Sequence, residues 1–190
     1  MNNLHSMYAL DEANDFCKEC SILSKTKPLY CVNDYDHLKA SDVLFLSDSI
    51  KYRFGKSYAF SKQEREIISE VFPGSSYQTA ASVKCPSVKE ADMSPTNMEA
   101  CRNFLEATID KVKPRLVFAC GNLAMKMLIK KSGITSKRGK SYEFSTDDGH
   151  TCIVVPIFHP YSVVKEPRHR ILFETDIRNA YEKYVLGKTH

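Results

Sequence analysis

The chain has 190 residues, of which 43% are hydrophobic and 26% charged, and its formal net charge is +4. This composition is typical of a globular protein, and we expect residues 1–190 to form one domain with a full hydrophobic core. No apolar run reaches the roughly 18 residues of a membrane span, and the N-terminus does not resemble a signal peptide, so we expect a cytoplasmic protein with no membrane partner.

The motif CKEC, Cys17 to Cys20, stands near the start of the chain. Two thiolates at this spacing can bind a metal or form a redox disulfide. A thioredoxin-type pair is disfavoured, because the motif does not follow a strand and open a helix. The pair is therefore interpreted as half of a metal or cluster site. The short N-terminal segment that contains the pair would be the cluster-binding segment of the domain.

The chain has seven cysteines in all, an odd number that argues against a secreted disulfide framework. Cys120 and Cys152 lie in buried apolar runs and are predicted core residues. The cysteines left to complete a site with the N-terminal pair are Cys31, Cys85 and Cys101. On spacing alone, zinc and an iron–sulfur cluster fit equally well.

Strand and helix patterns alternate from residue 42 onwards. Four short apolar runs are predicted strands: 42–48, 77–85, 115–121 and 151–159. Apolar residues at helical spacing predict four helices: 61–72, 94–112, 121–133 and 170–187. This alternation predicts an α/β fold with three layers, α/β/α, in which helices flank a central four-stranded parallel sheet.

Ligands of such sheets bind beyond the carboxyl ends of the strands, so the residues that follow each predicted strand are the first candidates for a site. Those residues are Asp48 with Ser49, Cys85, Gly121 and His159. Positive charge is concentrated in two apparent loops, 131–142 and 164–171. This distribution weakly favours an anionic partner.

The order of these motifs resembles that of the family 4 uracil-DNA glycosylases over nearly the whole chain. The most specific match is the spacing Cys17-x2-Cys20, Cys85-x15-Cys101, combined with the histidine-proline motif in PIFHPYSVV. VKC at residues 83–85, KPRLVFACGNLAMKML, SKRG and HRILFETDIRNA match further segments in order. The resemblance implies the fold of uracil-DNA glycosylases and a [4Fe–4S] cluster held by those four cysteines.

The resemblance also implies an activity, that of a monofunctional DNA glycosylase that hydrolyses an N-glycosidic bond and leaves an abasic site. DNA would be the partner, as a duplex with a flipped nucleotide or as a single strand, and no obligate protein partner is expected. His159 matches the histidine that contacts the pyrimidine O2, and it would donate to the leaving base. Asp48 stands where the family carries Glu, and it would orient a water or stabilise the sugar cation.

The base pocket is expected around Ser49, Tyr58, Ala81 and Ser82. Tyr58 aligns with the Phe on which the family stacks the flipped base, and Phe60 is the alternative. Tyr161 and Val163 follow the histidine-proline motif and are candidates to wedge into the base stack. The candidate phosphate contacts are Lys51, Arg53, Lys56, Arg138, Lys140, Ser162, Lys165, Arg168 and Arg170.

Two departures from the family pattern concern the pocket. SDSIKYRFG replaces the GEAPG-type loop after the first strand, and Ala81 stands where the family reads uracil with Asn. Ala offers neither a donor nor an acceptor, and it leaves more room. Some superfamily members resemble defence enzymes that excise modified bases, including glucosylated hydroxymethylcytosine, from phage DNA. We therefore expect a modified pyrimidine as the excised base.

Three other interpretations remain open. The protein could be an ordinary uracil-DNA glycosylase of base-excision repair that uses nonstandard residues. It could be a DNA-binding module that has lost catalysis, although Asp48 and His159 argue against that. The four cysteines could also hold zinc in place of the cluster.

Overall fold

The computed structural model describes residues 20–22, 37–53, 56–86 and 88–188. Cys17 and Cys31 lie outside the described residues. None of the helices in this part of the chain is both long and apolar enough to cross a bilayer.

A central sheet organises the described residues. The strands are β1 (Val43–Arg53), β2 (Lys56–Tyr58), β3 (Gln78–Pro86), β4 (Leu116–Cys120), β5 (Tyr142–Ser145) and β6 (Thr151–Ile157). The central order is β3-β1-β4-β6-β5. Strands β3, β1, β4 and β6 run parallel, β5 is antiparallel to β6, and β2 pairs antiparallel with the far end of β1.

The four predicted parallel strands are thus confirmed, but the two short antiparallel strands, β5 and β2, were not predicted. Strand β5 has the burial pattern of an edge, with only Phe144 buried. Its sequence YEFS is too short and too polar to stand out as an apolar run. The other difference is the length of β1, which was predicted to end at Asp48 and continues to Arg53 because it pairs with β2.

The helices pack on both faces of the sheet, which confirms the three layers. They are α1 (Lys62–Val71), α2 (Pro95–Val112), α3 (Asn122–Ile129), α4 (Ile134–Lys137), α5 (Pro160–Lys165) and α6 (His169–Tyr184), with a 3-10 turn at Glu90–Asp92. Helices α2 and α3 cover one face, on Leu44, Leu46 and Val117. Helices α1, α5 and α6 cover the other face, on Phe45 and Phe118.

Local sequence explains most of the helix boundaries. Ser61 and Glu64 form a capping box at the start of α1, and Ser94 caps α2 just before a Pro in its first turn. Helix α3 was predicted to reach Gly133, but it ends at Ile129, where Lys130 takes a left-handed conformation with φ 55°. The turn that follows is held by Asn122, whose Oδ1 accepts from the Ile134 N–H at 2.9 Å.

Candidate active site

Asp48 lies at the carboxyl edge of the sheet, where β1 extends beyond the end of β4. The last pair between these two strands joins Leu46 and Ala119, so the Asp48 side chain faces the turn that follows β4. Its Oδ1 accepts from the Ala124 N–H at 2.9 Å, at the N-terminus of α3. Burial raises the pKa of Asp48 to about 6, although the N–H groups of Ala124 and Leu123 oppose that rise.

Gly121 connects Asp48 to the next strand along the edge. Its φ is +99°, and a Cβ at this position would lie 2.8 Å from Asp48 Oδ1, so only glycine lets the carboxylate approach the helix. The Gly121 N–H donates to the carbonyl of Ile157 at 3.0 Å, at the end of β6. One short turn therefore contacts both the carboxylate and the strand that leads to His159.

His159 follows β6 and caps the short helix α5. Its Nδ1 accepts from the Tyr161 N–H at 3.1 Å, so a neutral imidazole here carries its hydrogen on Nε2. Burial lowers the pKa of His159 to about 4, with Glu64 raising it and Lys51 lowering it. A neutral imidazole with Nε2–H is a hydrogen-bond donor whose orientation is fixed by the helix cap.

The strand order places Asp48 and His159 at the same edge of the sheet, on β1 and after β6, with β4 between them. One of these half-buried groups is a carboxyl that ionises near pH 6, and the other is an imidazole that is neutral at that pH. This pair can supply a base or an anionic stabiliser from one side and a hydrogen-bond donor from the other. Cys120 lies between them on β4 and is fully buried.

The residues predicted to form the base pocket occupy different faces of β1 and β3. Ser82 is fully buried, and its hydroxyl donates to the Asp48 carbonyl at 2.6 Å, so it supports the backbone. Ala81 points to the opposite face, into the apolar cluster that contains Phe60. Ser49 is partly exposed on β1, opposite Val83.

The structure places Phe60, rather than Tyr58, beside His159. The Phe60 ring is 1% exposed, and its centroid lies 5.6 Å from that of the imidazole. Tyr58 ends β2, is partly exposed, and pairs with Lys51 across the antiparallel ribbon. Of the two aromatic residues considered from the sequence, Phe60 is thus the one that adjoins the histidine.

A buried ion pair next to His159 was not anticipated from the sequence. The Glu64 side chain is 2% exposed, and both of its carboxylate oxygens accept from Lys51 Nζ. Glu64 Oε1 also lies 3.8 Å from His159 Nδ1. The S-x-x-E capping pattern in residues 61–64 was the available signal that Glu64 turns back towards the helix start.

The segment after His159 separates the two predicted wedge residues. Tyr161 is 52% exposed, and the Lys165 Nζ lies 5.4 Å from its ring centroid. Val163 is 5% exposed and packs in the core, so of the two residues only Tyr161 is exposed, and the wedge role of Val163 stays a prediction. Ser162 donates from its hydroxyl to the His159 carbonyl at 2.9 Å and closes the first turn of α5.

The basic candidates for phosphate contact differ in their exposure. Arg138 is mostly buried and bonded to Asp176 at 2.8 Å, whereas Lys140 is exposed. Arg168 is 80% exposed beside Glu166, and Arg170 contacts Glu70 across to α1 at 2.8 Å. The side chains of Arg53 and Lys56 lie outside the described part of the chain.

Three of the four predicted cluster ligands lie in one apolar cluster under α2 and α3. Cys20, Cys85 and Cys101 are 8%, 7% and 9% exposed. Their chemistry and burial fit a thiolate-bound metal centre, but no three metal-binding side chains come together within the described residues. Cys120 and Cys152 are buried, which confirms their prediction as core residues.

Asn97 holds the Cys20 segment against the helix that carries Cys101. Its Oδ1 accepts from the Ser21 N–H at 3.1 Å, and its Nδ2 donates to the carbonyl of Asp92 at 2.8 Å. Asn97 and Cys101 are one helical turn apart on α2, so they lie on the same side of that helix. These contacts bring the start of the described chain to the Cys101 side of the core.

Comparison with known proteins gives a family match and several similar proteins. Residues 37–183 match the sequence profile of the Uracil DNA glycosylase superfamily. A type-4 uracil-DNA glycosylase of Sulfurisphaera tokodaii is 28% identical over 113 residues, which are 57% of this chain and 51% of that protein. One of Saccharolobus solfataricus is 29% identical over 105 residues, 53% of this chain and 48% of that protein.

A DNA polymerase of Bacillus phage SP01 is also similar, with 30% identity over 95 residues, which are 50% of this chain and 10% of the polymerase. The chain thus spans about half the length of the type-4 relatives that it matches and a small part of the polymerase.

Proposed function

Because this chain belongs to the Uracil DNA glycosylase superfamily, we propose that it is a DNA glycosylase. It would hydrolyse the N-glycosidic bond of a nucleotide in DNA and leave an abasic site. The observation that carries the proposal is the position of Asp48 and His159 at one edge of the sheet, joined through the Gly121 turn. Both groups are half-buried, and they pair an ionisable carboxyl group with a neutral hydrogen-bond donor, as cleavage of this bond requires.

His159 would act on the leaving base. As the bond between C1′ and the base nitrogen breaks, both electrons leave with the base, and negative charge collects on its oxygen. The His159 Nε2–H would donate to that oxygen, while Nδ1 stays bonded to the Tyr161 N–H. The imidazole keeps its proton in this role, and the base anion takes its proton from solvent.

Asp48 would act on the sugar and the water. An ionised carboxylate at this edge stabilises the oxocarbenium-like sugar and accepts a proton from the water that adds to C1′. The new bond is C1′–O, and the proton passes from water to Asp48 and then to solvent. The pKa of about 6 means that the reactive ionised form predominates at neutral pH.

We further propose that the excised base is a modified pyrimidine. Ala81 supplies no polar atom to its face of β3, where its small side chain is buried in the same apolar cluster as Phe60. A base pocket that opened at this face would favour a larger base over one read by hydrogen bonds. Hydroxymethylated or glucosylated cytosine in phage DNA is the substrate class that we favour, with defence as the biological role.

Uracil is the second candidate base. The named relatives of Sulfurisphaera and Saccharolobus are uracil-DNA glycosylases, and the similarity to them spans more than half of this chain. In that case, the recognition of uracil would use backbone groups or side chains other than Ala81. The choice between the two candidates rests on the substrate tested.

The flipped nucleotide would leave the base stack near α5. Tyr161 is the exposed aromatic residue that could fill its place, and Arg168 is exposed on the segment that follows. Lys140 and Arg170 are further exposed cations for phosphate contacts. These roles make DNA the partner of this face.

We propose that Cys17, Cys20, Cys85 and Cys101 hold a [4Fe–4S] cluster. When bound, the cluster would supply a structural cross-link between the N-terminal segment and the core. In support, Cys20, Cys85 and Cys101 come from separate segments and are buried in one apolar cluster, although within the described residues they do not come together as a metal site. A reducing cytoplasm would keep the thiolates available.

Base release tests the proposed activity. Duplex and single-stranded oligonucleotides carrying uracil, hydroxymethyluracil, hydroxymethylcytosine or glucosylated hydroxymethylcytosine are incubated with the protein, and abasic sites are scored by alkaline cleavage. Release of a bulky modified base without release of uracil supports the modified-base proposal, and release of uracil alone supports repair. Asp48→Asn and His159→Ala should each reduce release by about 100-fold or more.

A result without base release separates catalysis from binding. If DNA binds but neither wild type nor variant releases any base, the protein is a DNA-binding module. Iron and sulfide content and the visible spectrum of anaerobically purified protein show whether the four cysteines hold a cluster. A colourless protein with stoichiometric zinc would overturn the cluster proposal.

A further inference from the structure

An ion pair joins Lys51 of β1 to Glu64 in the first turn of α1, beside the candidate active site. The Glu64 carboxylate accepts from Lys51 Nζ at both oxygens, and Oε2 also accepts from the Ser61 N–H at 2.7 Å. Glu64 is 2% exposed, and the Lys51 side chain is 35% exposed. The carboxylate therefore has a fixed position, set by the helix cap on one side and by β1 on the other.

The ion pair faces His159 without bonding to it. Glu64 Oε1 lies 3.8 Å from His159 Nδ1, which is too long for a hydrogen bond, and Nδ1 already accepts from the Tyr161 N–H. The charged groups that act on the imidazole are Glu64 from α1 and Lys51 from β1. The Phe60 ring packs on the imidazole as well.

We propose that Lys51 is a positioning residue: through its ion pair it offsets the Glu64 carboxylate beside Nδ1, so that His159 stays neutral with its hydrogen on Nε2. Without the cation, the negative charge of Glu64 would stand alone beside Nδ1 and would favour the imidazolium. An imidazolium would place an N–H on Nδ1, give up the bond from Tyr161 and turn that N–H towards Glu64. The Nε2–H would then no longer point in the direction that the end of β6 and the start of α5 give it.

This inference gives Lys51 a role different from the phosphate contact expected from the sequence. It rests on the proposed function only where it assigns His159 as a donor to the leaving base. The ion pair and its effect on the imidazole belong to the protein alone. They can therefore be measured without DNA and without a substrate.

The protonation state of His159 is the direct readout. The ring nitrogens are followed by two-dimensional proton–nitrogen NMR of the full-length, cofactor-loaded protein between neutral and mildly acidic pH. Wild type should show a neutral ring with the hydrogen on Nε2 throughout. Lys51→Met should raise the pKa of His159 by about one unit or more, whereas Lys51→Arg, which keeps the charge, should behave as wild type.

Two further variants identify the source of the shift. In the double variant K51M/E64Q the rise should disappear, because no carboxylate remains to attract the imidazolium. Lys62→Met is the matched control. Lys62 is an exposed lysine that pairs with Glu66, and it lies on α1, the helix that carries Glu64. This control should leave the signals of His159 unchanged.

The salt dependence of DNA affinity tests the opposite assignment. If Lys51 contacts a phosphate, Lys51→Met should reduce the slope of log affinity against log salt by about 0.9 and leave the pKa of His159 in place. That result would overturn the proposal. An unchanged slope with a raised pKa supports it.

The proposal can still be tested if the Lys51→Met variant does not fold. Glu64→Gln leaves the cation of Lys51 beside the imidazole without a counter-charge, so in a titration extended below pH 4 His159 should resist protonation to lower pH than in wild type. Equal titration of His159 in wild type and E64Q would overturn the proposal. Absence of base release from wild type would sink the proposed function but would not change any of these NMR outcomes.

Discussion

Asp48 and Gly121 are in such close contact that no other residue fits at position 121. The Gly121 φ of +99° favours glycine, and a Cβ there would approach Asp48 Oδ1 to 2.8 Å. The carboxylate is at the same time held by the Ala124 N–H. The glycine thus fixes where the carboxylate lies relative to α3 and to the end of β6.

Gly121→Ala should therefore impair both stability and activity. The strained backbone should cost about 1–3 kcal/mol of unfolding free energy, and the displaced carboxylate should reduce base release further. Urea unfolding and abasic-site formation measure the two effects. Gly149→Ala is the matched control, because Gly149 also has a positive φ, +87°, but a Cβ there would contact nothing within 4 Å.

Gly149→Ala should lose stability from backbone strain and keep full activity. If Gly121→Ala releases base as fast as Gly149→Ala does, the position of the Asp48 carboxylate does not matter for catalysis. That outcome would show that Asp48 takes no part in the reaction.

The pH profile of base release should reflect the ionisation of Asp48. Since burial raises the pKa of Asp48 to about 6, the rate should increase as the pH rises through 6 and then level off. His159, with a pKa of about 4, should add no change near neutral pH. Single-turnover rates across this range test the prediction, and Asp48→Asn should leave a low rate without the rise at pH 6.

Stability should change with pH in opposite senses in two variants. The pKa of Asp48 rises on folding from 3.8 to about 6, so its contribution to stability is present below pH 4 and is lost as the pH rises through 6. The pKa of His159 falls on folding from 6.5 to about 4, so its contribution is present above pH 6.5 and is lost as the pH falls. In wild type the two effects oppose each other between pH 4 and 6.

Relative to wild type, Asp48→Asn should gain unfolding free energy as the pH rises from 4 to 6, and His159→Asn should lose it. Each change should reach at most about 3 kcal/mol. Asparagine can keep the backbone hydrogen bond at either position, so the comparison isolates the charge. Parallel curves for wild type and Asp48→Asn would show that Asp48 titrates normally in the folded protein.

The sequence predicted the parallel strands and the residues at their ends because long apolar runs and strand-end positions are local features. His159 follows β6 as expected, and the Gly121 turn lies at the predicted edge. The course of β1 beyond Asp48 depends on pairing with β2, which is a short polar strand without a local signal. For that reason Asp48 was expected after a strand, and it lies within one.

The Lys51–Glu64 ion pair could not be predicted from the sequence for the same reason. Lys51 reads as one of many basic surface residues, and only the extended β1 brings it to the start of α1. The burial of Val163 likewise depends on how the short helix α5 packs on the core. Both features arise from tertiary contacts that the local sequence does not show.

Phe60, which packs on the imidazole ring, should support the position of His159 during base release. Phe60→Leu keeps an apolar side chain of similar volume and removes the ring beside His159. The variant should release base more slowly, because the imidazole loses the ring that packs on it. Tyr58→Leu is the control and should retain activity, and the reverse order would assign the supporting role to Tyr58.

Asn97 should control how firmly the Cys20 segment is held to the core. Asn97→Ala removes the acceptor for the Ser21 N–H and the donor to the Asp92 carbonyl, which should cost about 1–3 kcal/mol. The Ser21 amide should then exchange with solvent faster, and iron should be lost to a chelator sooner if the cluster is present. Asn103→Ala, a change of the same type on α2, should leave both rates unchanged. Faster iron loss with unchanged exchange at Ser21 would show that Asn97 acts on the cluster by another route, because the segment itself would still be anchored.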